Sequence, residues 1–146
     1  MALPDFTPEG DLPPGVYQAT LAEVIARFGS EVGRRELVTG RLQHLWILSQ
    51  STGQVRRFVL FGSYVTAKAD PGDIDIALVM DDAFRLEACP AETRGLFDHA
   101  VAQARYGASI FWIRPTMLIG EAIEEFVSSW QFRRDGGRRG IVEVVT

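Results

Sequence analysis

The chain has 146 residues and a formal net charge of −4, with 47% hydrophobic and 23% charged residues. This composition is too apolar for a disordered chain, and single cores usually take about 100–200 residues, so we expect one domain over residues 1–146. The acidic balance argues against a general electrostatic surface for nucleic acid, but it leaves local arginine clusters open as binding sites.

Cysteine and histidine are scarce. A single cysteine, Cys89, cannot form an internal disulfide, and with two histidines it cannot complete a zinc site of the usual Cys/His type. The N-terminal stretch MALPDFTPEGDLPPG has neither the basic flank nor the apolar segment of a signal peptide, and no run of about 18 apolar residues occurs. We therefore expect a cytoplasmic protein that does not span a membrane.

The first half of the chain predicts an arm, two helices and a strand. Residues 1–19 are rich in proline and glycine, which predicts an extended N-terminal arm that packs loosely. The stretch TLAE at 20–23 has capping-box spacing and predicts a short helix that stops near Gly29. Apolar residues at helical spacing predict a second helix over 34–50, and RFVLF at 57–61 predicts the first strand.

The second half predicts alternating strands and helices. A second strand begins at about Ile74, and Pro90 begins a helix that places Phe97, Val101 and Ala104 on one face and Asp98 in its middle. The stretch ASIFWI at 108–113 predicts a third strand. Residues 116–130 predict another helix, with Ile119, Ile123, Phe126 and Trp130 aligned on one face.

The chain is predicted to end in a β-hairpin over residues 130–146, with its turn at Asp135-Gly136-Gly137. Strands that alternate with helices predict an α/β (α+β) layer fold, a small mixed sheet flanked by helices with this hairpin added at an edge. We expect Trp112, Trp130 and Phe132 to complete the core.

The stretch FGSYVTAKADPGDIDIALVM, residues 61–80, carries the strongest chemical signal. Asp73 and Asp75 occupy alternate strand positions and point to one side, while the apolar residues between and after them point to the core. Two carboxylates held so close repel each other unless a cation balances them. Mg²⁺ binds one or two carboxylates together with phosphate oxygens, so the pair predicts a metal-assisted nucleotide site.

Gly62 and Ser63 supply the other half of this signal. A glycine at a strand end lets backbone approach a phosphate closely, Ser63 adds a hydroxyl donor, and a short following helix would offer backbone N–H groups. Lys68 is the only lysine in the chain and lies a few residues further on, where its side chain would reach the same phosphates.

This arrangement resembles the polymerase-β-type nucleotidyltransferase superfamily, whose signature is Gly-Ser after an apolar residue and then Asp-x-Asp or Asp-x-Glu within apolar residues. Together with LPPGVYQATLAEVIARFG and FRRDGGRRGIVEV, the stretch looks like a bacterial family of small nucleotidyltransferase-like proteins over nearly the whole chain. The resemblance implies a nucleotidyltransferase fold that binds a nucleoside triphosphate, with ATP expected, and Mg²⁺ held by Asp73 and Asp75. It also implies transfer of a nucleoside monophosphate to a hydroxyl of a protein or small molecule.

One departure from the superfamily pattern concerns catalysis. Active members usually carry a third carboxylate on the strand after the helix, and here Ser109 stands in its expected place. Serine is neither a general base nor a strong magnesium ligand. The superfamily includes antitoxins that adenylylate a toxin, so the alternative is a catalytically weak or inactive antitoxin-like or regulatory subunit that binds a partner protein.

Arginines flank the predicted C-terminal turn. We favour a solvated hairpin for them, but clustered guanidinium groups also bind RNA, a triphosphate tail or an acidic partner. The four residues are Arg133, Arg134, Arg138 and Arg139.

Overall fold

A five-stranded mixed sheet forms the centre of the protein in the computed structural model, which describes residues 3–146. Its strands are β1 (Val16–Thr20), β2 (Val55–Phe61), β3 (Ile74–Met80), β4 (Ala108–Ile113) and β5 (Ile141–Val145). The strand order is β1-β5-β2-β3-β4, with β1/β5 and β3/β4 parallel and the other pairs antiparallel.

Five helices accompany the sheet within residues 3–146. They are α1 (Leu21–Phe28), α2 (Arg34–Gln50), α3 (Ala91–Arg94), α4 (His99–Tyr106) and α5 (Ile123–Ser129). The predicted capping box begins α1, because the Thr20 hydroxyl accepts a hydrogen bond from the Glu23 backbone N–H and the Glu23 carboxylate accepts one from that of Thr20. The mixed sheet and these helices together confirm the predicted mixed α/β architecture. Within residues 3–146, every helix is too short or too polar to cross a membrane.

The two faces of the sheet are covered differently. On one face, α1, α2 and α4 pack over the alternate β3 residues Ile74, Ile76, Leu78 and Met80, as predicted. On the other face, α5 places Val127 against Ala77 and Val79. Burying a Val, Leu or Ile side chain stabilises a fold by about 1.5–3 kcal/mol, so β3, covered on both faces, is a central part of the core.

The N-terminal arm packs more tightly than expected. Leu12 is fully buried, its carbonyl accepts a hydrogen bond from the Gly140 N–H at 2.9 Å, and the arm ends in β1. The loose packing predicted for residues 1–19 is therefore wrong for the described part, and residues 1–2 lie outside the described residues. The arm docks because its strand pairs with β5, a contact between opposite ends of the chain that local composition does not show.

The helix predicted after Pro90 is broken. Residues 91–97 form the single turn α3 and a 3-10 turn, and α4 begins after Asp98, whose carboxylate accepts a hydrogen bond from the Val101 N–H at 3.1 Å. Asp98 is thus an N-cap and not a mid-helix residue. The restart also rotates the helix, so that Ala102 is buried in place of Ala104.

The helix predicted over 116–130 is shorter than expected. A 3-10 turn spans Pro115–Met117, and Gly120 has a φ of +70°, a left-handed conformation that ends helical continuity, so α5 starts at Ile123. Ile119 is consequently 95% exposed and does not join the predicted apolar face. Phe132, predicted as core, is 62% exposed.

The predicted C-terminal turn forms, but the expected edge hairpin does not. The Arg133 N–H donates to the Gly137 carbonyl at 2.8 Å, and only Phe132 and Arg138 form a β-bridge across the turn. Strand β5 instead pairs with β1 and β2 inside the sheet. The Arg57 guanidinium of β2 binds the buried Glu143 carboxylate of β5, with one contact at 2.7 Å, which supports this interior position.

Candidate functional site

Strands β2 and β3 bring Gly62 and Asp75 together. Phe61, the last residue of β2, pairs with Asp75, and Gly62 follows with a φ of +80°. A Cβ atom at residue 62 would overlap the Asp75 carboxylate. Glycine is therefore required here both for the backbone conformation and for the close approach of the carboxylate.

The Gly-Ser segment continues into a single 3-10 turn, Ser63–Val65, in place of the short helix expected from the sequence. The Ser63 hydroxyl accepts a hydrogen bond from the Gly72 N–H at 3.1 Å, and its carbonyl accepts one from the Thr66 hydroxyl at 2.6 Å. Ser63 thus joins the two ends of the loop that connects β2 to β3.

Two arginines at the start of α2 donate hydrogen bonds to backbone carbonyls of this loop. The buried Arg35 guanidinium donates to four backbone carbonyls, and burial lowers the pKa of Arg35. Those carbonyls belong to Phe28, Tyr64, Thr66 and Lys68. Arg34 donates to the Pro71 carbonyl at 2.9 Å. Sequence reasoning missed this role because the accepting groups are backbone atoms, which have no residue signature.

The two aspartates differ in their surroundings. Asp73 is exposed just before β3, whereas Asp75 is half-buried within the strand. Burial and, second to it, the negative charge of Asp73 raise the pKa of Asp75 to about 6, while the positive charges of Arg139 and Arg134 act to lower it. The Asp75 carboxylate is therefore short of positive charge, and a bound cation would stabilise its ionised form.

The donor set suits a magnesium ion that is shared with a ligand. Within residues 3–146, no group of three or more His, Cys, Asp or Glu side chains is arranged to hold a metal. Mg²⁺, however, is commonly bound by only one or two carboxylates, with phosphate oxygens and water as its other ligands. Asp75 offers one such oxygen donor beside Gly62, and Asp73, two residues before it, is near enough for its charge to act on Asp75.

Ser109 lies directly beside Asp75. The two residues are register partners on the parallel strands β3 and β4, about 4.8 Å apart in the hydrogen-bonding direction, and their side chains point to the same face. The Gln103 side-chain amide donates to the Ser109 hydroxyl at 3.2 Å. At the position next to Asp75 the site therefore has a neutral, hydrogen-bonded hydroxyl.

These residues open onto a cleft of about 710 Å³. Its lining includes Gly62, Ser63, Asp75 and Ser109 together with residues of the C-terminal turn. Those turn residues are Arg133, Arg134, Asp135 and Arg139. The structure therefore brings three of the four predicted arginines to the candidate site, whereas we favoured solvation for all four.

Aromatic rings also line this cleft. Phe61 and Trp130 stack with ring centroids 4.6 Å apart, and Phe111 lies 4.9 Å from Trp130. Phe132, half-open to solvent, also lines the cleft. Sequence reasoning assigned Trp130 and Phe132 to the core. The one signal in the sequence that Phe132 belongs to a binding surface is the arginine pair that follows it, Arg133 and Arg134.

Lys68, Arg138 and Asp73 lie away from this cleft. Lys68 is exposed on the loop, and only its carbonyl contacts Arg35. The Arg138 side chain binds Gln131 and covers the Phe132 ring. Asp73 lines a neighbouring cleft of about 690 Å³ that also contacts Gln103, so the two aspartates stand at the boundary between the two clefts.

Comparison with known proteins places the chain in a family. A family model described as a family of unknown function, DUF6932, matches residues 4–145. No curated protein and no solved structure shows a significant match. The chain therefore belongs to DUF6932, a family of unknown function.

Proposed function

We propose that this protein has a nucleotidyltransferase fold and binds a nucleoside triphosphate together with Mg²⁺. The observation that carries the proposal is the contact between Gly62 and Asp75, which puts an approachable backbone and a carboxylate in need of a cation at one strand end. Gly62 and Ser63 would receive the phosphates, and Asp73 and Asp75 would hold the ion. Lys68, on its exposed loop, would assist only by moving towards the bound phosphates.

The proposed reaction is transfer of a nucleoside monophosphate to a hydroxyl of a protein or small molecule. The acceptor oxygen forms a bond to the α-phosphorus, the bond to the β-phosphate oxygen breaks, and pyrophosphate leaves. Bound Mg²⁺ would offset the charge that develops on the phosphate oxygens. Ser109 cannot take the acceptor proton as a base, so that proton passes to solvent.

Calorimetric titration tests the binding step. ATP, GTP, CTP and UTP are titrated with and without Mg²⁺ into the wild type, the Asp73→Ala/Asp75→Ala variant and Asp70→Ala, an exposed aspartate of the same loop. The proposal predicts magnesium-dependent binding that the double variant loses and Asp70→Ala keeps. Binding that survives in the double variant would contradict the assignment of these residues.

Ser109 supports a second candidate, a binding subunit with weak or no turnover. In this alternative the chain binds nucleotide and regulates a partner protein in an antitoxin-like manner. Nucleotide labelled at the α-phosphate distinguishes the two functions. It is added to cell extract that contains the tagged protein, and the tagged protein is then recovered together with the proteins bound to it. Label on a protein or small molecule that requires Asp73 supports transfer. Nucleotide binding with a co-purified protein and no label supports the binding subunit.

A further inference from the structure

The C-terminal turn is closed by internal hydrogen bonds and lines the same cleft as Asp75. The Gly136 N–H donates to the Arg133 carbonyl, the Arg139 N–H donates to the Gln131 carbonyl at 3.0 Å, and Asp135 accepts from the Gly137 N–H. These bonds close the turn on itself, so the side chains that it carries into the cleft start from a defined backbone.

Asp11 of the N-terminal arm fixes two of these arginines. One oxygen of its largely buried carboxylate lies 2.9 Å from Arg133, and the other lies 3.6 Å from Arg139. Arg133 also contacts Asp135 at 3.4 Å. A guanidinium has five N–H donors, so each arginine keeps donors free for a ligand after this pairing.

Arg134 is the most available cation of the turn. It is exposed, and among residues 3–146 no carboxylate lies within ion-pair distance of it and no side-chain hydrogen bond holds it. Neither Arg134 nor Arg139 forms an ion pair with Asp75 in the described part of the chain, yet both line the cleft with it. The two guanidinium groups are therefore near enough for their charges to act on the Asp75 carboxylate without forming an ion pair with it.

A cleft lined by the Asp75 carboxylate and by several guanidinium groups matches a ligand that carries a metal cation next to a polyanion. Arginine binds phosphate oxygens in two-pronged geometry, while the carboxylates attract the cation. A triphosphate carries more negative charge and more phosphate oxygens than a diphosphate or a monophosphate, so it can bind both guanidinium groups while it shares a cation with Asp75. The arrangement therefore favours the longer polyanion.

We propose that Arg134 and Arg139 bind the terminal phosphates of the nucleoside triphosphate in the cleft that they share with Asp75, and that Asp11 positions Arg139 for this contact. This inference rests on the proposed function and extends it, because it makes the C-terminal turn part of the substrate site and predicts selection of triphosphates over diphosphates.

The test compares dissociation constants for Mg·ATP and Mg·ADP in the wild type and four variants by calorimetry. Charge-assisted hydrogen bonds contribute about 1.5–3 kcal/mol, so Arg134→Met and Arg139→Met are each expected to weaken ATP binding by about 10-fold or more. Both should also reduce the preference for ATP over ADP. Asp11→Asn should reduce the same preference by a smaller factor. If Asp11 had a structural role alone, the ratio of the dissociation constants for Mg·ADP and Mg·ATP would not change.

Arg138→Met is the matched control, because Arg138 belongs to the same turn and carries the same charge but binds Gln131 outside the cleft. It should leave both constants within about twofold. If wild type binds Mg·ATP and both Arg134→Met and Arg139→Met bind it equally well, the inference is overturned while the proposed function stands. Wild-type protein that binds no triphosphate overturns both.

Discussion

Gly62 and Asp75 meet so closely at the ends of β2 and β3 that the space for a side chain at residue 62 is already filled by the Asp75 carboxylate. Burial of the Asp75 carboxylate costs free energy in the folded protein, as its raised pKa indicates, whereas a φ of +80° carries no such cost at a glycine. Carboxylates with perturbed pKa values are commonly functional, and in the proposed function this contact joins the segment that would receive the phosphates to the strand whose Asp75 would hold the metal.

Gly62→Ala is expected to destabilise the protein and to displace Asp75. The positive φ costs about 1–2 kcal/mol for a non-glycine residue, and the overlap with the carboxylate adds to that cost. Urea unfolding should show a loss of at least about 2 kcal/mol, and Mg·ATP binding should weaken because the aspartate has moved.

Gly40→Ala provides the control, since Gly40 lies within α2 with no atom near the position of the added methyl group. Replacing a helical glycine by alanine stabilises a protein by about 0.5–1 kcal/mol. A Gly62→Ala variant as stable as the wild type, with unchanged nucleotide binding, would contradict the close packing described here.

Asp75 is expected to reduce stability at neutral pH. The pKa of Asp75 is raised from 3.8 to about 6 in the folded protein, so ionisation costs more there than in the unfolded chain. The penalty grows as pH rises from about 4 to 6 and is complete above 6. Two pKa units correspond to about 3 kcal/mol, and partial exposure reduces this to about 2–3 kcal/mol.

The Asp75→Asn variant measures this penalty when the free energy of unfolding is compared with that of the wild type without divalent cations. The variant should be about as stable as the wild type near pH 4 and more stable by about 2–3 kcal/mol above pH 7. A difference that does not change with pH would show that Asp75 titrates normally.

Arg35 is expected to be essential for the loop that carries Gly62 and Ser63. Arg35→Met leaves the carbonyls of Tyr64 and Thr66 without their buried donor. Unsatisfied buried polar groups cost about 1–3 kcal/mol each, so unfolding in urea should show a loss of about 3 kcal/mol or more. Arg105→Met, on the exposed side of α4, should change stability by less than about 0.5 kcal/mol. Equal effects of the two substitutions would contradict this role.

Ser109→Asp tests the position beside Asp75. A third carboxylate there adds like-charge repulsion, so the variant should be less stable than the wild type without metal, by about 1–2 kcal/mol. Millimolar Mg²⁺ should raise its melting temperature more than that of the wild type, because the ion gains a ligand. Ser30→Asp, in the exposed segment between α1 and α2, should show neither effect. Identical responses of both variants to Mg²⁺ would rule out a metal position at Ser109.

Local signals in the sequence predicted local structure well. The capping box at Thr20 and Glu23 contains its own hydrogen-bond partners, and the alternation around Asp75 fixes which side chains face the core. Both features involve residues a few positions apart. Asp98 shows the limit, since an aspartate that caps a new helix looks like one more residue in an unbroken helical pattern.

The sequence did not reveal relationships between distant parts of the chain. Pairing of β5 with β1 joins residues more than a hundred positions apart, so the hairpin was misplaced at an edge. The contact of Asp11 with Arg133 also joins distant parts of the chain, and it holds at the cleft an arginine that was expected in solvent. Composition predicted which charged residues the chain has but not which of them line one cleft.

The proposal that Mg·nucleotide binds at the junction of β2 and β3 is tested by a titration of the ¹⁵N-labelled protein with Mg·ATP. We expect the largest amide shifts at Gly62, Ser63 and Asp75, and a trace of paramagnetic Mn²⁺ should broaden the signals of Asp73 and Asp75 first. An unchanged spectrum, or shifts confined to residues outside the cleft, would contradict it.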